Sequence, residues 1–176
     1  MAGPVLTVPV ELVVPRYQVA LDAGSTGAST DSLGDGWSPD RKYTTGSYGY
    51  QGNASAQSTS RTITVTNDQK LFRDARGGMY ECRFDNVPNG TCTVELGFAE
   101  LSSTKPDKRV FDVLAEGTQV LPSLDIALEA GTYTALTRTY TVTVTDGTLH
   151  VRSVTHTRFG KPLLNSLRVT DRPDKS

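Results

Sequence analysis

The sequence predicts an all-β fold, a sandwich or a barrel, on three observations. The chain is rich in Thr, Val and Gly. No stretch repeats its apolar residues at helical spacing over the length of a helix. Apolar and polar residues alternate instead in short runs, closed by Asn89-Gly90, Glu116-Gly117 and Asp146-Gly147, dipeptides that favour tight turns. At 176 residues the chain is long enough to bury one sizeable core and short enough to be one domain.

The elements follow in chain order. Residues 5–14 are β-prone through Val5, Leu6, Val8, Val10, Leu12, Val13 and Val14. Pro4, Pro9 and Pro15 remove ladder donors, which restricts such a strand to an edge or an extended arm. Residues 1–16 are therefore read as an N-terminal arm or edge strand that docks on its own sandwich or on another chain, because a free apolar edge is sticky. Strands are expected at 17–22 and 61–66, separated by a long Gly-, Ser- and Thr-rich connection of the kind that is functional or held by something. Strands at 79–85 and 91–100 flank the turn at Val87-Pro88-Asn89-Gly90. In the second of these, Val94, Leu96 and Phe98 recur with period two and face the core, which turns Glu95 outward. A strand at 108–115 adds Val110, Phe111 and Val113 to that core. The clearest hairpin is 136–145 with 148–156. There Thr139, Thr141, Thr143 and Thr145 alternate with Tyr140, Val142 and Val144, and Asp146-Gly147 supplies the positive backbone angles of a two-residue turn. A strand at 164–170, with Leu167 inward, completes the set, and 172–176 is a short tail.

Charge and cysteine content remove several classes of function. The formal net charge is −1, so there is no basic footprint for nucleic acid. Lys105, Lys108 and Arg109 share one loop, whose simplest reading is a solvated loop. No apolar run reaches the length of a membrane span, and the first residues lack a basic segment and an uninterrupted apolar segment, so no secretory signal is expected in this chain. The chain is either a piece of a secreted protein or a protein made and used without Sec export. Cys82 and Cys92 flank the Asn89-Gly90 turn. Ideal hairpin pairing would set Cys92 opposite Val87, so a disulfide is not implied, and a chain that changes sheet there would turn both thiols into the core. Buried free thiols are the expectation. His150 and His156 have no partners at metal-ligand spacing. The Asp31, Asp35 and Asp40 loop does not match a calcium hand, and its acids are expected to hold turns beside Gly34 and Gly36. No metal and no cofactor is assigned.

Two stretches carry a family resemblance. Phe98-Ala99-Glu100, then Arg109-Val110-Phe111-Asp112-Val113 nine residues on, resemble the signature of the malectin-like domain. Leu21-Asp22-Ala23-Gly24-Ser25 is similar to that family's opening strand end. Asp31, Gly34, Trp37 and Asp40 resemble its D-x-x-G-x-x-W-x-x-D loop. Leu71 to Arg76, Val87 to Thr91, Thr143 to Leu149 and Lys161 to Val169 resemble, in family order, four further segments. The ordered set covers residues 17–171. It implies a jelly-roll-type β-sandwich of two antiparallel sheets and a non-catalytic module that binds glucose-containing carbohydrate. It also implies that Glu100 and Asp112 are structural, tying strand ends to loop backbone.

Sugar binding of this kind stacks aromatic rings on a pyranose while a few polar groups bond its hydroxyls. The family's first Tyr corresponds to Tyr48, with Tyr50 beside it. Its second Tyr falls on Gly77, its aromatic pair on Ser102 and Ser103, and its last-loop Asp on Gly160. The diglucose site is thus expected to be largely lost. Any carbohydrate site is expected in the loops carrying Tyr43, Tyr48, Tyr50 and Arg76, with Phe72 and Phe159 as further rings. Among Glu95, Glu100, Asp107 and Asp112 no catalytic pair is assigned, and no nucleophile triad or phosphate loop is present. The alternative is a structural or decorating protein of a multi-subunit particle, such as a phage capsid or tail, docked through its N-terminal arm. The expected partners are carbohydrate, protein neighbours, or both, with a homo-oligomer possible, no nucleic acid and no membrane insertion. The expected location is extracellular or on a virion surface.

Overall fold

The computed structural model describes residues 13–79 and 81–175, and it bears out the all-β sandwich. In chain order the strands are β1 (Gln18–Asp22), β2 (Ser29–Thr30), β3 (Gly36–Pro39), β4 (Tyr48–Gln51), β5 (Ser55–Ser58), β6 (Asp74–Gly77), β7 (Glu81–Asp85), β8 (Gly90–Phe98), β9 (Phe111–Ala115), β10 (Thr118–Leu124), β11 (Leu136–Val144), β12 (Thr148–Thr155), β13 (Leu163–Leu164) and β14 (Ser166–Asp171). Two short helices, α1 (Gln69–Arg73) and α2 (Ile126–Glu129), interrupt them. One sheet runs β11-β8-β14-β1-β3-β2, the facing one β10-β9-β12-β7-β4, and a small third sheet β13-β6-β5 sits beside them. Neighbours pair antiparallel except β1 with β3.

The core fills as the period-two pattern requires. Phe98, Leu96, Val110, Phe111, Val113 and Leu167 are all buried, and the rings of Phe98 and Phe111 meet across the sheets at 6.1 Å. Cys82 and Cys92 are free and buried. β7 lies in the five-stranded sheet and β8 in the six-stranded one, so the chain changes sheet at Asn89-Gly90 and both thiols face inward. Burial pushes the Cys82 thiol up to about 12 and makes it inert.

Two expectations are corrected. Residues 144–148 do not form a hairpin, because β11 and β12 belong to different sheets. Gly147 has a positive φ of 78°, but the turn crosses the sandwich beside the earlier crossover. Val87 N–H donates to Gly147 O (2.9 Å) and Gly147 N–H to Asn89 Oδ1 (2.8 Å), so the two crossovers are stitched together. Residues 61–66 are not a strand. Val65 takes a φ of 61°, which no strand tolerates, and only Thr64 bridges to Thr134. The Gln69 side chain bonds both the N–H and the carbonyl of Ile63 in place of a ladder. The long connection at 22–61 is held by four short strands, β2 to β5. The expected strand at 5–14 lies outside the described residues except for Val13 and Val14, which are exposed and unpaired to any strand.

The Asp31 loop does turn work. Asp31 accepts N–H bonds from Leu33 and Asp35 through one oxygen and the Trp37 indole N–H through the other. Glu95 does point outward, and Arg168 bonds it at 3.1 Å.

Candidate functional site

β4 is the edge of its sheet, and its register sets what its tyrosines do. Tyr48 lies opposite Phe84 and Tyr50 opposite Cys82. Both rings therefore share the inward face of those buried residues, and Tyr48 stacks on Phe84 at 6.2 Å. Residues 41–43 double back alongside: Tyr50 N–H donates to Arg41 O (2.8 Å) and Tyr43 N–H to Tyr50 O (3.0 Å). Gly49 permits this approach, since a Cβ there would stand 2.5 Å from Arg41 O and from Tyr43 N.

Each tyrosine is capped by an arginine. Arg41 lies 4.1 Å above the Tyr48 ring, Arg76 4.4 Å above Tyr50, and Arg83 5.1 Å above Tyr43. Arg76, on β6, also grips Asp40 with two bonds of 2.8 and 2.6 Å, and that contact raises its already high pKa. Tyr43 stands on the other face of the β4–β7 ladder, where its hydroxyl donates to Asp85 at 2.6 Å and Arg83 bonds the same carboxylate. The Tyr43 hydroxyl and then Arg83 hold the Asp85 carboxyl below its usual range. The structure thus brings Tyr48, Tyr50 and Arg76 together and leaves Tyr43 on the opposite side.

A second group of residues collects where the loops beyond β8 meet those before β13. Gly78 N–H donates to Pro162 O (2.9 Å), Gly160 N–H to Lys108 O (2.7 Å), and the Arg109 guanidinium to Lys161 O. A Cβ on Gly160 would stand 3.0 Å from Lys108 O, and one on Gly77 would stand 2.6 Å from the Gln57 amide nitrogen. Glu100, only 1 % exposed, accepts Arg109 Nε–H at 2.7 Å and the Ser102 hydroxyl at 2.8 Å. Ser103 lies 3.4 Å from the Tyr133 hydroxyl. Phe72 is buried, and Phe159 packs edge-on against His156.

A family model, the malectin domain, matches residues 17–173. The chain belongs to the malectin domain family. No curated protein matches it at the sequence level. Among solved structures, a beta-glucuronidase of Bacteroides uniformis is similar at 25% identity, with a TM-score of 0.81 over 89% of this chain and 18% of that one. The extracellular domain of ANXUR2 from Arabidopsis thaliana is similar at 17% identity, with a TM-score of 0.72 over 90% of this chain and 50% of that one. A chain in the crystal structure of plant peptide RALF23 in complex with FER and LLG2 is similar at 19% identity, with a TM-score of 0.70 over 89% of this chain and 49% of that one. This malectin domain spans about half or less of each of these chains.

The signature acids of this malectin domain are occupied by structural partners. Asp112 accepts Ser123 N–H at 2.7 Å and the His156 Nε2 contact at 2.8 Å, and the backbone bond, with the histidine, keeps its carboxyl below the usual range. It ties β9 to the backbone of β10 where the register of that pair shifts between Leu121 and Leu124, rather than a strand end to a loop. Glu100 differs, holding the side chains of Arg109 and Ser102 instead. Among the described residues no three acidic, histidine or cysteine side chains gather as a metal site, and no helix is long and apolar enough to cross a membrane. The sequence reading did not connect Lys108 with Arg158 and Lys161, which only the chain's topology sets beside one another.

Proposed function

We propose that this malectin domain is a non-catalytic carbohydrate-binding module whose family diglucose site is largely lost. The observation that carries the reading is the family match across residues 17–173. Two features support its particulars. Glu100 and Asp112 are consumed by Arg109, His156 and Ser123, which leaves neither free for acid–base work. Gly77, Ser102, Ser103 and Gly160 stand where the family's rings and acid would be, so no stacking platform faces the loop end. Beside that end Arg76, opposite Leu164 in the ladder, lies over Tyr50, while Tyr48 stacks on the core and Tyr43 lies on the opposite face. Calorimetry against maltose and nigerose is the test. Weak or absent binding is expected, and micromolar binding to either disaccharide would overturn the loss of the site.

A second reading is an assembly role, in a particle such as a phage capsid or tail, with protein neighbours or further copies of the chain as partners. What favours it is the apolar segment 1–16, which precedes the family match, together with the exposure of Val13 and Val14. An extracellular or virion-surface location fits either reading, and the two roles can coexist.

A further inference from the structure

Four exposed cations crowd the loop end, and none has an ion-pair partner among the described residues. They are Lys105 and Lys108 on one loop and Arg158 and Lys161 on the other. The two loops are laced by the Gly160–Lys108 and Arg109–Lys161 backbone contacts and by His156 N–H to Val110 O at 3.2 Å. The nearby acids are spent. Glu100 is held by Arg109, Asp112 by His156 and Ser123, and Asp125 by the N–H groups of Asp107 and Leu128. Asp107 alone stands exposed among the cations. Four cations against one free acid is a local excess in a chain whose net charge is −1.

Arg158 adds a second observation. It sits at a φ of 80°, where a side chain costs roughly 1 kcal/mol and Gly would cost nothing. Among the described residues nothing bonds its guanidinium, so their contacts do not account for an arginine there. The floor beside it offers donors, while the Phe159 ring is set edge-on against His156 and the Tyr133 hydroxyl meets Ser103. The Gln57 amide fills the space over Gly77, and the Lys161 side chain crosses Gly78, its Cδ 3.1 Å from where a Cβ would stand. Ser102 and Ser103 present exposed residues at the same end.

We propose that the loop end binds an anionic glycan, a sugar carrying carboxylate or sulfate. Lys108, Arg158 and Lys161 meet the anion, while Gln57, Ser102 and Ser103 bond hydroxyls. Charge here takes the place that ring stacking holds in the resemblance. The proposal rests on the carbohydrate reading above. Because the cations are exposed, the affinity depends on salt, which screens such contacts beyond about 8 Å at physiological ionic strength.

The test measures binding of the full chain to an oligogalacturonate, a heparin oligosaccharide, maltose and nigerose, at low and high salt. Comparison of the first two ligands separates carboxylate from sulfate recognition. Lys161→Glu and Lys108→Glu should each weaken anionic binding by about 3–10-fold. Arg158→Gly should weaken it while raising the melting temperature, since it also removes the backbone strain. Lys175→Glu serves as control. It lies beside Thr91, roughly 27 Å from the loop end along β8, and should change nothing. Salt-sensitive anionic binding with this pattern of variants supports the proposal. Anionic binding that all four variants leave unchanged, or that Lys175→Glu weakens equally, overturns the site. Binding of the neutral disaccharides alone overturns the anionic inference and leaves the carbohydrate reading standing. Binding of no glycan overturns both.

Discussion

The β4 edge and the loop end are neighbours joined through β6, and they use their polar side chains in opposite ways. At the β4 edge every tyrosine has an arginine on its face, and each of Arg76 and Arg83 has a carboxylate of its own, so rings and charges are satisfied within the fold. At the loop end the cations stand free, and the rings of Phe159 and Tyr133 are engaged by His156 and Arg61. Aromatic residues in a loop-rich segment are therefore a poor guide to a sugar platform, because strand register can turn them onto the core. Unspent charge is the better indicator of what a surface has left to offer a ligand.

The largest expected effect tests the support that both regions share. Phe98 ends β8 directly beneath Glu100, is 1 % exposed and packs on Phe111. Phe98→Ala should lower stability by about 3–5 kcal/mol in chemical denaturation. An unchanged midpoint would mean that the loop end does not rest on this core.

A second experiment reaches the base of the β4 edge. Asp22 is fully buried, its carboxyl accepts the Ser29 hydroxyl through one oxygen, and the other oxygen has no partner. Its backbone oxygen accepts the N–H of Asp40, the residue that grips Arg76 under Tyr50. Burial pushes its pKa from 3.8 to about 6. The folded state therefore favours the protonated acid. That stabilisation is complete below pH 3.8 and is lost as pH rises through 6, so at neutral pH the ionised group costs up to about 3 kcal/mol relative to an uncharged one. Asp22→Asn should raise the denaturation midpoint at pH 7 and leave it nearly unchanged below pH 4. An equal shift at both pH values would show that the charge is not the cause.

The smallest expected effect on stability comes from removing residues 1–15. Among the described residues every buried core side chain lies between Leu21 and Val169, so the shortened chain should still melt as a folded sandwich. Under the assembly reading it should no longer join its particle or oligomer, which light scattering would register. A truncated chain that fails to fold makes the segment an integral strand. One that assembles normally removes the main support for the assembly reading.

Much of this contrast was legible in the sequence, and the illegible part has physical causes. Period-two burial marks β8, β9, β11 and β12 because one face of each strand meets the core. The short strands β2 to β6 pair over only two to four residues, too few for a pattern. Ile63, Thr64 and Val65 have strand propensity, yet tertiary contacts to Gln69 and Tyr133 set their conformation. Asp146-Gly147 announces a turn, but turn chemistry specifies backbone angles and not which sheet receives the next strand. Tyr48, Tyr50 and Arg76 were found as a group because motif positions point to them. Lys108 and Arg158 were not paired, since only the fold sets one loop on the other.

The pairing of β1 with β14 has an architectural consequence. Gln18 lies opposite Thr170, Arg16 bonds Asp171 at 3.0 Å, and Tyr17 exchanges backbone and carboxylate bonds with that same residue. The sandwich thus begins and ends on two adjacent strands roughly 5 Å apart. Such a unit can be grafted into a surface loop of a host protein without prying that loop open, since entry and exit share one narrow stem. The stem stands beside Thr91, at the opposite end of β8 from Ser102, Lys108 and Lys161. The cationic loops thus lie at the end of the sandwich away from its entry and exit strands.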